Sequence, residues 1–506
     1  MFRIFGPPGT GKTTTLLNIV EKTLASGVPP NEIAFLAFTR KAANEAKERA
    51  AERFGLSLDE LPYFRTLHSL AYRLTGLSGD QIMQGSHYGE IEAKIGIPLV
   101  SGTLRPDEME SDSSAPIKKE SPILKLITLS RLKRSSLRRE YDMSDLNYNW
   151  LEVDYVARAI QSYKDTFGVY DYTDMLELFA KEGHLSCPKF KLSMLDEAQD
   201  LSPLQWEIAH MIDQKSDVMY CAGDDDQAIY KWSGADVEHF INLPGGSEVL
   251  EQSYRIPAAI HSVAEKISRR ILRRFPKTYL PKKESGSVKD IVSIEECDFS
   301  TGSWLVLSQA QFQYGPVRDY LKQQGYFFEY ASHLSIPQKI RTALDAWRRL
   351  NNGENVNLTG VLAAYSYMTG NGDKIARGFK KIIAPDDQTF TYEQLVSEWG
   401  LLVEKGTSWE AALDRLPDVD KAYIHALMRR NENIRGTPRI RLSTIHGSKG
   451  GEADNVLLFT DLTAAAESSL RSDPDSLHRV FYVAVTRAKK SLFILQPANF
   501  TRYYII

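Results

Sequence analysis

Phe2-Arg3-Ile4-Phe5 reads as a short buried strand, and a glycine-rich stretch follows it at once. Leu16, Leu17, Val20 and Leu24 then recur at helical spacing, so strand, loop and helix succeed one another. A second apolar run passes through Met194 and Leu195 and ends in two adjacent carboxylates, Asp196 and Glu197. Ser303 to Tyr330 reads as strand, helix, strand, a nucleotide-fold unit without a glycine-rich loop. From about His333 to Gly436 the pattern turns helical, punctuated by Trp347, Tyr365, Tyr367, Trp399 and Trp409. Pro106 to Ser121 is polar and serine-rich and reads as a mobile loop. Arg131 to Arg139 holds five basic residues in nine, which fits either a phosphate-tracking patch or a solvated basic helix face.

Composition narrows the class. The 506 residues are 42% apolar and 25% charged with a net charge of −3, which excludes a disordered chain, a collagen-like fibre and a coiled-coil rod. At about 150 residues per domain the length suggests about three domains. A near-neutral total neither requires nor excludes a nucleic-acid partner, because a local basic groove can hide within it. No stretch of about 18 uncharged apolar residues occurs, so no membrane partner is expected. Cys187, Cys221 and Cys297 are far apart and lack metal-ligand spacing. The five residues before Gly6 are too few for a secretory leader. The expectation is a cytoplasmic, multi-domain protein.

The first chemical signal is GPPGTGKTTT. Gly6, Pro7, Pro8, Gly9, Thr10, Gly11, Lys12, Thr13 and Thr14 form a phosphate-binding loop in the strand–loop–helix setting that this pattern requires. Its glycines let backbone N–H groups close around phosphate oxygens at a helix N-terminus. Lys12 would reach the β and γ phosphates of ATP, and the Thr13 hydroxyl would face Mg²⁺. Asp196 would hold the same Mg²⁺, and Glu197 would orient the attacking water. Such a loop serves many activities, so it does not name one.

The third signal, GDDDQAIYKWSGA (Gly223 to Ala235), resembles the UvrD/Rep/PcrA family of superfamily 1A DNA helicases. The resemblance follows motif order along the chain: FLAFTRKAANEAKER (Phe35 to Arg49), FRTLHSLAYRL (Phe64 to Leu74), LDEAQD (Leu195 to Asp200), LEQSYR (Leu250 to Arg255), RLSTIHGSKGGEADNV (Arg441 to Val456) and HRVFYVAVTRAKK (His478 to Lys490). It implies an α/β fold with two RecA-like motor domains, parallel sheets flanked by helices, each with a mainly helical inserted subdomain. The expected boundaries are 1–75 with 166–246 for the first motor domain and 76–165 for its insertion. They are 247–332 with 437–506 for the second motor domain and 333–436 for its insertion. The resemblance also implies that Gln227 senses the γ-phosphate, that Arg255 and Arg487 act as arginine fingers, and that Lys12 and Glu197 complete the catalytic set. Tyr254 matches the residue that stacks on adenine, and Glu452 the one that contacts ribose. Phe38, Tyr230 and Trp232 match aromatic positions that pack on bases, although for each aromatic taken singly the core is the commoner place. Thr39, Thr66, His68, Thr444 and His446 match backbone contacts to the strand. Tyr503 falls near the aromatic that stacks on the first base pair at the fork.

Three departures stand out. The family's glutamine ahead of the loop strand has no room here, so another residue must read adenine or selectivity is relaxed. The second insertion is short for the family. Gly450-Gly451-Glu452-Ala453 carries an extra glycine, which would loosen coupling between the ATP and DNA sites. The implied activity is an ATP-dependent 3′→5′ DNA helicase that moves on single-stranded DNA and meets single-strand/duplex junctions, in the cytoplasm, at the nucleoid or in a phage-infected cell. A DNA-dependent ATPase that strips proteins with little unwinding, and a small-molecule phosphotransferase, are the rival readings.

Overall fold

The computed structural model describes residues 1–99, 121–331, 333–379, 385 and 387–506. The loop reading of Pro106 to Ser121 therefore lies outside the described residues, apart from Ser121. The chain forms two compact units, Met1–Val292 with Thr444–Ile506, and Ser293–Ser443.

The first unit is built on six strands: β1 (Phe2–Phe5), β2 (Ile33–Ala37), β3 (Phe64–Thr66), β4 (Phe190–Leu195), β5 (Ser216–Gly223) and β6 (Ser247–Val249). They lie in the order β3-β2-β4-β5-β1-β6, and every pairing is parallel. A parallel sheet is covered on both faces, and β2 shows why its sequence is apolar throughout. Ile33, Phe35 and Ala37 enter one core cluster with Leu16, Leu17 and Val20 of helix Lys12–Ala25. Ala34 and Leu36 enter the opposite cluster with Leu204, Ile208 and Ile212 of helix Pro203–Gln214. The ends of β1 and β4 thus deliver the glycine-rich loop and the Asp196–Glu197 pair to the same rim of the sheet.

The same unit contains β7 (Gln252–Pro257) and β8 (Leu280–Lys282), paired with each other. It also contains β9 (Ser287–Ile291), β16 (Ala453–Phe459) and β17 (Ala488–Leu495), parallel with β17 in the middle. Helix Pro474–Val485 packs beside them, its last six residues buried. Four helices, Gly85–Ile95, Pro122–Leu132, Leu137–Asp142 and Trp150–Phe167, form a separate cluster around Ile91, Ile123, Val153, Val156 and Ile160.

In the basic run 131–139, Arg134, Arg138 and Arg139 are exposed, as a solvated face requires, while most of its cations are held in ion pairs. Arg131 pairs with Asp171 at 2.8 Å and Glu177 at 2.6 Å, and also with Asp174. Lys133 pairs with Glu140 at 2.8 Å, Arg134 with Glu207 at 2.6 Å and Arg138 with Asp142 at 3.0 Å. Lys164 adds an ion pair to Asp174 at 2.7 Å and one to Asp171. Burial alone would raise the Asp171 carboxyl, but Lys164 and Arg131 hold it well below the usual range. The run braces the helical cluster to helix Tyr172–Ser186.

The second unit holds β10 (Trp304–Ser308), β11 (Phe328–Tyr330), β12 (His333–Leu334), the antiparallel pair β13 (Val356–Asn357) and β14 (Thr389–Phe390), and β15 (Ile440–Thr444). Four of these strands lie in the order β12-β11-β15-β10, with helix Gly315–Gln323 between β10 and β11. The strand–helix–strand pattern of 303–330 forms as its apolar runs predict. Trp347 and Tyr365 anchor the helical part, buried and donating to the Thr407 carbonyl at 2.9 Å and the Trp399 carbonyl at 3.0 Å.

Candidate ATPase site and nucleic-acid face

The glycine-rich loop needs its glycines for backbone shape. Gly9 and Gly11 have φ of +73° and +78°, the left-handed region that L side chains rarely adopt. A Cβ on Gly9 would lie 2.2 Å from Arg255 Cβ, so a larger residue is blocked by a neighbour as well as by its own backbone. The loop is pinned to β7: Ser253 Oγ donates to the Pro8 carbonyl at 2.7 Å, and the Tyr254 N–H donates to the Gly9 carbonyl at 2.8 Å. Thr10 Oγ1 donates to the Pro7 carbonyl at 2.8 Å, closing the turn internally.

Lys12, at the start of the helix, faces the end of β4. Its Nζ lies 2.6 Å from Glu197 Oε1 and 3.7 Å from Asp196 Oδ1. Burial would lower the Lys12 pKa, yet Glu197 and Asp196 together hold it above its ordinary value. Burial would raise the Glu197 pKa, but Lys12 and then Lys449 hold it down, to about 2. Asp196 shifts upward, because burial and neighbouring Glu197 outweigh Lys12. Thr13 Oγ1 donates to Asp196 Oδ2 at 3.1 Å. A hydroxyl and a carboxylate meeting at the loop mouth are hard oxygen donors of the kind Mg²⁺ takes together with nucleotide phosphates. Among the described residues no group of three or more His, Cys, Asp or Glu converges as a metal cage, so such an ion would depend on phosphate and water for its remaining ligands. Glu197 itself has φ of +55°, a strained conformation of the kind found at functional turns.

Two residues that the motif reading passed over complete this centre. Gln199 donates to Glu197 Oε2 at 2.5 Å and accepts from the Asp224 N–H at 3.0 Å, tying the carboxylate to the next motif. Lys449 forms an ion pair with buried Asp200, donates to the Gln227 carbonyl at 2.9 Å, and lies 3.9 Å from Glu197 Oε2. Burial is the main reason the Asp200 carboxyl stands at about 6 despite that cation.

Gln227 and Arg487 meet directly. Gln227 Nε2 donates to Asp224 Oδ2 at 2.7 Å, and Gln227 Oε1 accepts from Arg487 Nη2 at 2.6 Å. Arg487 is only 2% exposed and donates to the carbonyls of Gly451 and Val483, both at 3.1 Å. Burial and then neighbouring Arg255 push its pKa down to about 9. Arg255 pairs with Glu452 at 2.5 Å, and Lys489 lies 3.4 Å from the other Glu452 oxygen. The Tyr254 ring beside them is 75% exposed, an open face on the loop side of β7.

The predicted base-contacting aromatics form one row. Phe38 stacks on Tyr230 with centroids 5.6 Å apart, Tyr230 meets Trp232 edge-on at 6.2 Å, and Trp232 meets His446 at 6.4 Å. Trp232 is 65% exposed, whereas Tyr230 is half-buried with the Lys449 ammonium 4.9 Å from its centroid. Thr39 and Thr66 are helix N-caps, accepting from the N–H of Ala42 at 3.1 Å and of Ser69 at 3.2 Å. Thr444 likewise accepts from the Gly447 N–H at 3.1 Å. The Thr39 and Thr66 hydroxyls, as acceptors in these caps, keep a proton to donate. Thr66 is buried, while Thr39 and Thr444 are half-buried. Burial lowers the His68 and His446 pKa values to about 4, so both imidazoles are neutral near pH 7. Tyr503 stands apart from this row, half-buried, its backbone bridged to Asp461.

A glycine-rich loop on a parallel sheet, a carboxylate pair at the end of β4, and an arginine contacting the γ-phosphate-sensor candidate define a P-loop nucleoside-triphosphatase. The family model for the UvrD/REP helicase N-terminal domain matches residues 2–245, and that for the UvrD-like helicase C-terminal domain matches residues 403–497. A probable DNA helicase II homolog of Rickettsia conorii is 24% identical over 98% of this chain and 90% of that protein. DNA helicase II of Rickettsia typhi is 25% identical over the same shares, and ATP-dependent DNA helicase PcrA of Bacillus subtilis is 24% identical over 55% of this chain and 39% of that protein. The chain belongs to the UvrD-like helicases of superfamily 1A, enzymes that couple ATP hydrolysis to work on DNA. Among the described residues no helix is long and apolar enough to cross a membrane.

Proposed function

We propose that this chain is a 3′→5′ translocase on single-stranded DNA that unwinds duplex at single-strand/duplex junctions inside the cell. The motor halves are 1–75 with 166–246 and 247–332 with 437–506, and their insertions are 76–165 and 333–436. The loop Gly6 to Thr14 would hold the nucleotide phosphates, Tyr254 the adenine face and Glu452 the ribose. Thr13 and Asp196 would hold Mg²⁺, which when bound neutralises charge on the phosphate oxygens.

Lys12 is engaged by Glu197. Nucleotide phosphates draw Lys12 to themselves, leaving Glu197 ionised to orient water. The water oxygen attacks the γ-phosphorus, the bridging β–γ bond breaks toward ADP, and the water proton leaves through Glu197. Gln227, Arg255 and Arg487 stabilise the charge that develops on the transferring group.

The strand would lie along Phe38, Tyr230, Trp232 and His446, with its backbone near Thr39, Thr66, His68 and Thr444. Tyr503 would face the fork. One observation carries the reading: Lys449 contacts the Tyr230 ring, the Gln227 carbonyl and Asp200 at once, so base-side and phosphate-side residues share one side chain. A protein-stripping ATPase with little unwinding is the second reading. It is favoured by alignments of 611 positions against 506 residues, which leave the helicase relatives with segments that have no counterpart here.

ATP turnover measured with and without single-stranded DNA, on the wild type, Lys12→Ala and Glu197→Gln, tests the site. Stimulation by DNA that both substitutions abolish is expected. Turnover indifferent to DNA would sink the reading. Strand displacement from a tailed duplex separates the helicase from the stripping factor.

A further inference from the structure

Leu272 to Lys277 lies between helix Ala258–Ser268 and β8, outside every motif that carries the family resemblance. It nevertheless sends two cations into the interior. Asp224, Asp225 and Asp226 follow one another on a turn with their side chains at most 1% exposed. Three like charges so placed repel one another and need cations to remain ionised. Lys277 Nζ supplies one, 3.2 Å from Asp224, 2.6 Å from Asp225 and 2.8 Å from Asp226. Arg274 supplies the other in a fork on Asp226, at 2.8 Å and 2.6 Å. The Phe275 N–H donates to Asp225 Oδ2 at 2.7 Å, and Arg479 Nε donates to the Asp225 carbonyl at 2.8 Å.

This cluster decides which way Gln227 points. The Asp224 carboxylate has one oxygen on Lys277 and the other on the Gln227 NH₂ group. With its NH₂ so held, the Gln227 amide turns its oxygen to Arg487. Turned over, it would set oxygen against carboxylate and NH₂ against guanidinium. The contacts run in sequence from Lys277 to Asp224 to Gln227 to Arg487. Lys277 also stands three residues before β8, which pairs with β7, the strand of Tyr254 and Arg255.

We infer that Lys277 is a positioning residue for ATP hydrolysis: it fixes the Asp224 carboxylate that orients Gln227, with Arg274 sharing the load on Asp226. The inference rests on the reading of Gln227 and Arg487 given above. The test is a double-mutant cycle on DNA-stimulated ATP turnover with Lys277→Met and Gln227→Ala. Lys277→Met is expected to lower kcat about tenfold or more, the scale of a misplaced catalytic group. KM for ATP should stay within about twofold, the mark of an interaction made in the transition state. In the Gln227→Ala background the same substitution is expected to cost nothing further. Lys277→Arg, which keeps the charge, should lose less, and that loss should also vanish without Gln227. Equal losses in both backgrounds, or an unchanged kcat for Lys277→Met, would overturn the inference. If Lys277→Met does not fold, the Lys277→Arg cycle decides by the same criterion. Gln227→Ala at the wild-type rate would overturn the assignment of Gln227 itself, an outcome distinct from two real but additive losses.

Discussion

Replacing Lys449 by Met keeps an unbranched apolar stem and removes the charge. In the wild type the ammonium faces Asp200, which is fully buried, and lies over the Tyr230 ring. Asp200 already stands at about 6 against an ordinary 3.8, chiefly because of burial. A carboxyl raised in the folded state binds its proton more tightly folded than unfolded. Its stabilising share is therefore complete below about pH 4 and is lost as pH rises through about 6. At about 1.4 kcal/mol per unit, that loss is about 3 kcal/mol. Without Lys449 the Asp200 pKa rises further, so the additional loss falls above about pH 6, in the range of about 3–5 kcal/mol for a broken buried pair. Near pH 5.5 Asp200 is largely protonated in both proteins, and most of the difference disappears. Thermal unfolding without nucleotide is the assay. The Lys449→Met midpoint is expected to fall by about 3–7 °C near pH 8 and by less than half of that near pH 5.5. An equal drop at both pH values, or none near pH 8, would refute the claim that Lys449 compensates Asp200.

Three further outcomes follow from the geometry. Trp232→Ala removes an exposed ring from the aromatic row and should weaken binding of oligo(dT) by about 1–3 kcal/mol in fluorescence anisotropy, with KM for ATP unchanged. Gly9→Ala forces a Cβ to 2.2 Å from Arg255 Cβ at a positive φ and should abolish binding of a fluorescent ATP analogue. Tyr503→Ala should lower duplex unwinding and spare DNA-stimulated ATP turnover; unchanged unwinding would remove Tyr503 from the fork.

Much of the ATP site is visible in the sequence because its parts are local. A strand, a glycine-rich loop and a helix start occupy consecutive residues, and their spacing follows from backbone geometry. The Asp196–Glu197 pair is legible for the same reason, as an apolar strand ending in acid. Lys449 and Lys277 are not legible in this way. Lys449 reaches Asp200 across 249 positions, and Lys277 reaches Asp225 across 52, so no spacing rule brings either pair together. In the run 131–139 only part of the structure is legible. Its charge is plain in the sequence, but the carboxylates that neutralise it sit on helices Tyr172–Ser186 and Pro203–Gln214 as well as on its own segment. Trp347 and Tyr365, which punctuate the second insertion, are core anchors whose polar atoms find backbone carbonyls, the usual fate of buried aromatics with a polar handle.

ATP hydrolysis at Lys12 and Glu197 is proposed to drive the protein along single-stranded DNA toward the 5′ end. ATP-driven release of streptavidin from oligonucleotides biotinylated at one end or the other tests it directly, with Lys12→Ala as the inactive control. Release from the 5′ end alone is the predicted result. Release from the 3′ end alone, or no release while ATP is hydrolysed, would contradict it.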